Sequence, residues 1–149
     1  MMKIGEVREL QASLVRILVV DDSAAWQAMV QTQMEQHPNL LIIGLACDGM
    51  EAIQKADRLQ PDLILLDVGM PVLNGVEAAR QIQRLAPGSV ILFLSENTDP
   101  DVLLEALCVG GRGFVLKSEA TRDLVPAIEA VLGGERFISP ELIDHDTWT

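Results

Sequence analysis

Pro61-Asp62-Leu63-Ile64-Leu65-Leu66-Asp67-Val68-Gly69-Met70-Pro71-Val72-Leu73-Asn74-Gly75 is the stretch that decides the fold. Four apolar residues without polar alternation read as a strand buried on both faces, which is the habit of a parallel sheet covered on each side. The strand ends on a carboxylate, Asp67, and turn-forming residues follow. Three other runs share this plan. Ile17-Leu18-Val19-Val20 ends in Asp21-Asp22, Val90 to Leu94 ends in Ser95, and Phe114 to Leu116 ends in Lys117.

Helical patterns separate the runs. Ser23 is placed to cap a helix reaching about Gln36, with Trp26, Met29, Val30 and Met34 on its inner face. Leu40 to Ala46 reads as the second strand. Met50 to Leu59 and Val76 to Leu85 read as the next helices, the latter stopped by Pro87-Gly88. Asp99-Pro100 opens a fourth helix that Gly110-Gly111 closes, and Thr121 to Leu132 forms a fifth with Pro126 in its early part. Five strands alternating with five helices predict a doubly wound α/β fold with a five-stranded parallel sheet. In such a sheet the carboxyl ends of the strands line one crevice, and ligands bind there.

The chain has 149 residues, enough for one domain with a sizeable core. Residues 1–13 read as a polar extension, 14–136 as the domain and 137–149 as a tail or linker. The formal charge of −11 argues against this chain gripping a nucleic-acid backbone and favours basic partner surfaces. Lys3, Glu6, Arg8 and Glu9 exclude a signal peptide at the start, and no apolar run approaches the roughly 20 residues of a membrane helix. These features place the chain in the cytoplasm. Cys47 and Cys108 fall in apolar segments and read as small buried hydrophobes in a reducing compartment.

Singly, each strand-end residue has a bland reading: an Asp caps helices and forms turns, a Ser is a loop hydroxyl, a Lys is a solvated charge. Together they meet the needs of phosphoryl transfer, which asks for a nucleophile, a divalent cation and fixed positive charge. Asp67 is the candidate nucleophile, since a carboxylate gives an acyl phosphate. Its charge repels an incoming phosphate, so a hard cation is required, and Mg²⁺ takes oxygen ligands while keeping some waters. Asp22 and Asp67 can bind it directly, Asp21 through water, and the Gly69 backbone carbonyl can complete the protein ligands. Lys117 can pair with one phosphate oxygen and Ser95 can donate a hydrogen bond to another.

These motifs resemble the receiver domain of two-component response regulators over about residues 15–139. The resemblance implies a flavodoxin-like fold with strand order 2-1-3-4-5. It also implies that Asp67 accepts a phosphoryl group from a sensor histidine kinase, with Mg²⁺ held by Asp21, Asp22 and Asp67. Ser95 and Phe114 become the switch pair: the hydroxyl moves to the phosphate and the ring turns inward. The surface of the fourth helix, fifth strand and fifth helix then controls an output partner or a homodimer. Ala127-Ile128-Glu129-Ala130-Val131-Leu132-Gly133-Gly134-Glu135-Arg136-Phe137-Ile138-Ser139-Pro140 is similar to the NarL/FixJ/LuxR-type branch, whose members usually carry a DNA-binding domain beyond this point. Glu96 stands where the family usually has a small residue. Its carboxylate either slows phosphorylation or points to solvent. Gly69 and Asn97 fall at positions that tune dephosphorylation in the family, and Gly69 leaves the acyl phosphate open to water.

Three other readings compete. A haloacid-dehalogenase-type phosphohydrolase would ask for Asp-x-Asp after the first strand, where this chain has adjacent Asp21-Asp22. A receiver that works without phosphorylation finds support only in Glu96. A receiver fragment of a DNA-binding regulator fits the branch likeness. The receiver reading itself makes the chain a signalling domain rather than a turnover enzyme.

Overall fold

Leu18, Val20, Ile64, Leu66, Ile91, Phe93, Phe114 and Leu116 point to one side of a sheet, and Ile17, Val19, Leu63, Leu65, Leu92, Leu94 and Val115 point to the other. Adjacent residues of a strand face opposite ways, so runs apolar at every position need cover on both faces. The computed structural model describes residues 14–70, 73–96 and 98–142 and supplies that cover. Among these residues the strands are β1 (Val15–Val20), β2 (Leu40–Ala46), β3 (Leu63–Asp67), β4 (Val90–Ser95), β5 (Gly113–Leu116) and β6 (Phe137–Ile138). The helices are α1 (Ala24–Met34), α2 (Gly49–Leu59), α3 (Gly75–Leu85), α4 (Pro100–Cys108) and α5 (Ala120–Leu132). Helices α2, α3 and α4 pack on the Phe93–Phe114 side through residues such as Ile53, Ile82 and Leu103, while α1 and α5 pack on the opposite side through Val30, Leu124 and Ile128.

All pairings are parallel, and the order is β2-β1-β3-β4-β5-β6. The expected order 2-1-3-4-5 is therefore present, and a sixth strand of two residues extends it at the β5 edge. The Ser139 N–H donates to the Phe114 carbonyl at 2.9 Å, and the Leu116 N–H donates to the Ser139 hydroxyl at 3.0 Å. A boundary after residue 136 would cut between β6 and the sheet it joins.

Local chemistry sets the helix starts. The Ser23, Asp48, Asn74 and Asp99 side chains each accept a backbone N–H in the first turn of α1, α2, α3 and α4, and Pro100 occupies the opening turn of α4. Gly75 has a packing reason: a Cβ there would run into the Asp67 carbonyl oxygen, and its own N–H bonds the Val68 carbonyl at 2.9 Å. The Asn74-Gly75 pair thus folds the loop back beneath the end of β3.

The cysteines overturn their expected burial. Cys47 follows β2 at the turn into α2, Cys108 ends α4, and both are exposed free thiols. An apolar neighbourhood in sequence does not fix which way a residue at the end of an element faces. Residues 1–13, the tail from 143 and Asn97 lie outside the described residues.

Candidate functional site

Parallel pairing of β1, β3, β4 and β5 brings their carboxyl ends to one edge, so Asp21, Asp22, Asp67, Ser95 and Lys117 converge as the sequence predicts. A cleft of about 310 Å³ opens there, lined by Asp22, Ser23, Asp67, Gly69, Ser95, Glu96, Val102 and Lys117, among others. A larger groove, about 530 Å³, lies between α1 and α5, but no carboxylate lines it. The converging acids and the ammonium line the smaller cleft.

Carboxylate oxygens of Asp21, Asp22 and Asp67 lie within 4.8 Å of one another. Asp21 is wholly buried, Asp67 is 5 % exposed and Asp22 faces solvent. Lys117 reaches between the first two, with Nζ 2.6 Å from Asp21 Oδ2 and 3.5 Å from Asp67 Oδ2. Burial pushes the Asp67 carboxyl above the ordinary carboxylate range and the Asp21 charge adds to the rise, while the Gly69 N–H, 3.2 Å from Oδ1, and Lys117 pull back. Burial alone would lower the Lys117 ammonium, but the Asp21 and Asp67 carboxylates more than offset it and hold the group above its usual value. Three carboxylates against one ammonium leave net negative charge in a confined space. That hard-oxygen donor set fits Mg²⁺, which tolerates mixed carboxylate and water coordination.

Ser95 is buried at the end of β4, level with Leu116 on β5. Phe114 is fully buried and its ring centre lies 6.4 Å from that of Phe93. Glu96 is exposed at the cleft wall. A Cβ added at Gly69 would meet only Asp67 Oδ1, at 4.0 Å, so that side of the acid is open.

Two supporting residues escape a reading of strand ends. The Gln27 amide, buried on α1, donates to the carbonyls of Asp21 and Ala46 at 2.7 and 3.2 Å, tying the ends of β1 and β2 together. The Trp26 ring, expected in the core, is half-buried and lies 4.9 Å from Lys117 Nζ. The sequence signal for Gln27 was a polar residue one step from the apolar stripe of a helix that directly follows an acid pair.

Residues 17–129 match the model of the response regulator receiver domain. The chain belongs to that family. Receiver domains take phosphoryl groups from histidine kinases, bind Mg²⁺ at an acidic pocket and act through output domains or by dimerising. Among curated relatives, a protein-glutamate methylesterase/protein-glutamine glutaminase of Methanosarcina acetivorans is 38 % identical over 111 residues, covering 74 % of this chain and 32 % of that protein. The response regulator GacA of Pseudomonas viridiflava is 33 % identical over 132 residues, covering 87 % of this chain and 60 % of GacA. A LuxR-family response regulator from Aurantimonas sp. SI85-9A1 superposes with a TM-score of 0.83 at 31 % identity, covering 87 % of this chain and 92 % of that one. The receiver thus spans about a third of the methylesterase it matches. Among the described residues, no helix is long and apolar enough to cross a membrane.

Proposed function

We propose that Asp67 is the phosphoryl acceptor of this receiver domain, working in the cytoplasm with a sensor histidine kinase as donor. The observation that carries the reading is the buried Asp67 carboxylate, 3.5 Å from the Lys117 ammonium and within 4.8 Å of two further acids at the same sheet edge. A carboxylate oxygen of Asp67 attacks the phosphorus of a phosphohistidine in line. The O–P bond forms as the P–N bond breaks, and the imidazole nitrogen keeps the electron pair. Asp21, Asp22, Asp67 and the Gly69 carbonyl would hold Mg²⁺, which when bound neutralises charge on the transferring group. Lys117 pairs with one phosphoryl oxygen, and the Ser95 hydroxyl donates to another.

The response passes through α4, β5 and α5. Leu104 on α4 is 45 % exposed, and Val102 and Leu107 are only half-buried. This spare apolar surface supports partner binding or self-association once phosphorylation biases the packing. The domain acts as a switch and not as a turnover enzyme, and the folded unit extends through Leu142. Incubation with acetyl phosphate and Mg²⁺, read by intact mass, tests the acceptor. One phosphoryl adduct on the native chain and none on Asp67→Asn is the expected result. A native chain that stays unmodified with several small donors, or an adduct that persists in Asp67→Asn, overturns the reading.

A further inference from the structure

Fixing a lysine tip on four rotatable bonds costs rotamer freedom, so each further contact helps hold it at a defined place. At Lys117 the third contact is aromatic. The ammonium lies 4.9 Å from the centre of the Trp26 ring, within cation–π range. Trp26 and the acid are built on one turn: the Ser23 hydroxyl accepts the Trp26 N–H at 3.2 Å, and the Ser23 N–H donates to Asp21 Oδ1 at 2.8 Å. The backbone that carries the ring is therefore tied to the turn that holds Asp21.

The indole carries a cost that a Leu or Met there would not. Its Nε1 is buried and has no hydrogen-bond partner among the described residues. What an indole offers that an aliphatic side chain lacks is its π face, the strongest of the side-chain rings toward a cation. We infer that Trp26 is a positioning residue, whose ring holds the Lys117 ammonium beside Asp21 and Asp67 so that it stands ready for the phosphoryl oxygens. This rests on the reading of Lys117 and Asp67 given above.

The test uses the full chain with Trp148→Phe, which leaves Trp26 as its one indole. Onto this parent, Trp26→Phe keeps a ring and Trp26→Leu keeps only apolar bulk. The initial rate of adduct formation from acetyl phosphate is read by intact mass, and Trp26 emission is read with and without beryllofluoride and Mg²⁺. Trp26→Leu is expected to slow phosphorylation roughly five- to tenfold, and Trp26→Phe to stay within about threefold of the parent, as suits a partly desolvated cation–π contact. Parent emission is expected to change when beryllofluoride draws Lys117 away from the ring. Trp26→Leu reacting as fast as Trp26→Phe, or both falling equally, overturns the inference alone. Should Trp26→Leu fail to fold, the parent's emission decides, and an unchanged spectrum counts against the contact. A parent that takes no phosphoryl group overturns the Asp67 reading itself, and this inference with it.

Discussion

Asp67 and Asp123 are both 5 % exposed, yet the protein treats them in opposite ways. Asp123, in the first turn of α5, receives two hydrogen bonds from Arg122, at 2.7 and 2.9 Å, and faces the Ser139 hydroxyl at 3.4 Å. Arg122 also reaches Glu141 at 2.6 Å, so the cluster stitches α5 to the segment after β6. The guanidinium holds the Asp123 carboxyl below the usual range, although burial works against it. Asp67 is given one backbone N–H and a share of one lysine, and burial holds its carboxyl above the usual range. Equal burial therefore does not mark a catalytic acid. The supply of partners separates the two: Asp123 is satisfied, while Asp67 is left with unmet charge that a cation could offset.

The comparison breaks most sharply at Asp67 itself. Asp67→Asn should abolish the phosphoryl adduct and, in metal-free protein, raise Tm by roughly 3–5 °C, since removing an underpaired buried charge stabilises by about 1 kcal/mol. A lower Tm in thermal melts with chelator would show that Asp67 is paired well enough to be structural. Lys117→Gln comes next. Phosphorylation by acetyl phosphate should slow by roughly 100-fold or more, the cost of losing one preorganised charge on the transferring group, and a rate near native would remove Lys117 from the chemistry.

Asp123→Asn should do the reverse of Asp67→Asn, lowering Tm by roughly 3–5 °C through loss of about 1 kcal/mol of charged hydrogen bonding while leaving the adduct in place. The two acids also predict opposite pH slopes. The depressed Asp123 contributes stability above the ordinary carboxylate range, lost as pH falls through its lowered pKa. The raised Asp67 contributes stability below that range, lost as pH rises through its raised pKa. Denaturant melts of the two variants between pH 3 and 7 should therefore diverge from native with opposite sign, and parallel curves would sink the contrast. The smallest effect is expected at Gly69. A Leu there would cover the open side of Asp67 and lengthen the phosphoaspartate lifetime about two- to fivefold by crowding the water path, which decay of the adduct mass would report.

The fold and the candidate site were legible for one reason. Buried parallel strands are apolar at every position, so the first polar residue after each run announces a strand end, and Asp21, Asp22, Asp67, Ser95 and Lys117 all fall there. What supports them was not legible in this way. Trp26 and Gln27 sit in the helical stretch after the acid pair, where period alone marks an aromatic as core and a Gln as surface. Strand β6 has two half-buried residues at a sheet edge, too few for any period to register. Ser139 is a lone hydroxyl in sequence and becomes a clamp only once β5 lies beside it. Cys47, just past β2, and Cys108, at the end of α4, are exposed because of where they fall relative to their elements, a matter of geometry that hydrophobicity does not encode.

The Ser139 clamp has a consequence for anything joined to this domain. Its N–H and hydroxyl grip the backbone on either side of Val115, and Leu116 is the residue before Lys117. A protein fused after Leu142 would feel a shift of β5 through that grip. Spacer residues inserted after Leu142 should lengthen its reach without loosening that grip. The same spacer between Gly134 and Phe137 should slip the clutch, so that the segment after it no longer follows β5.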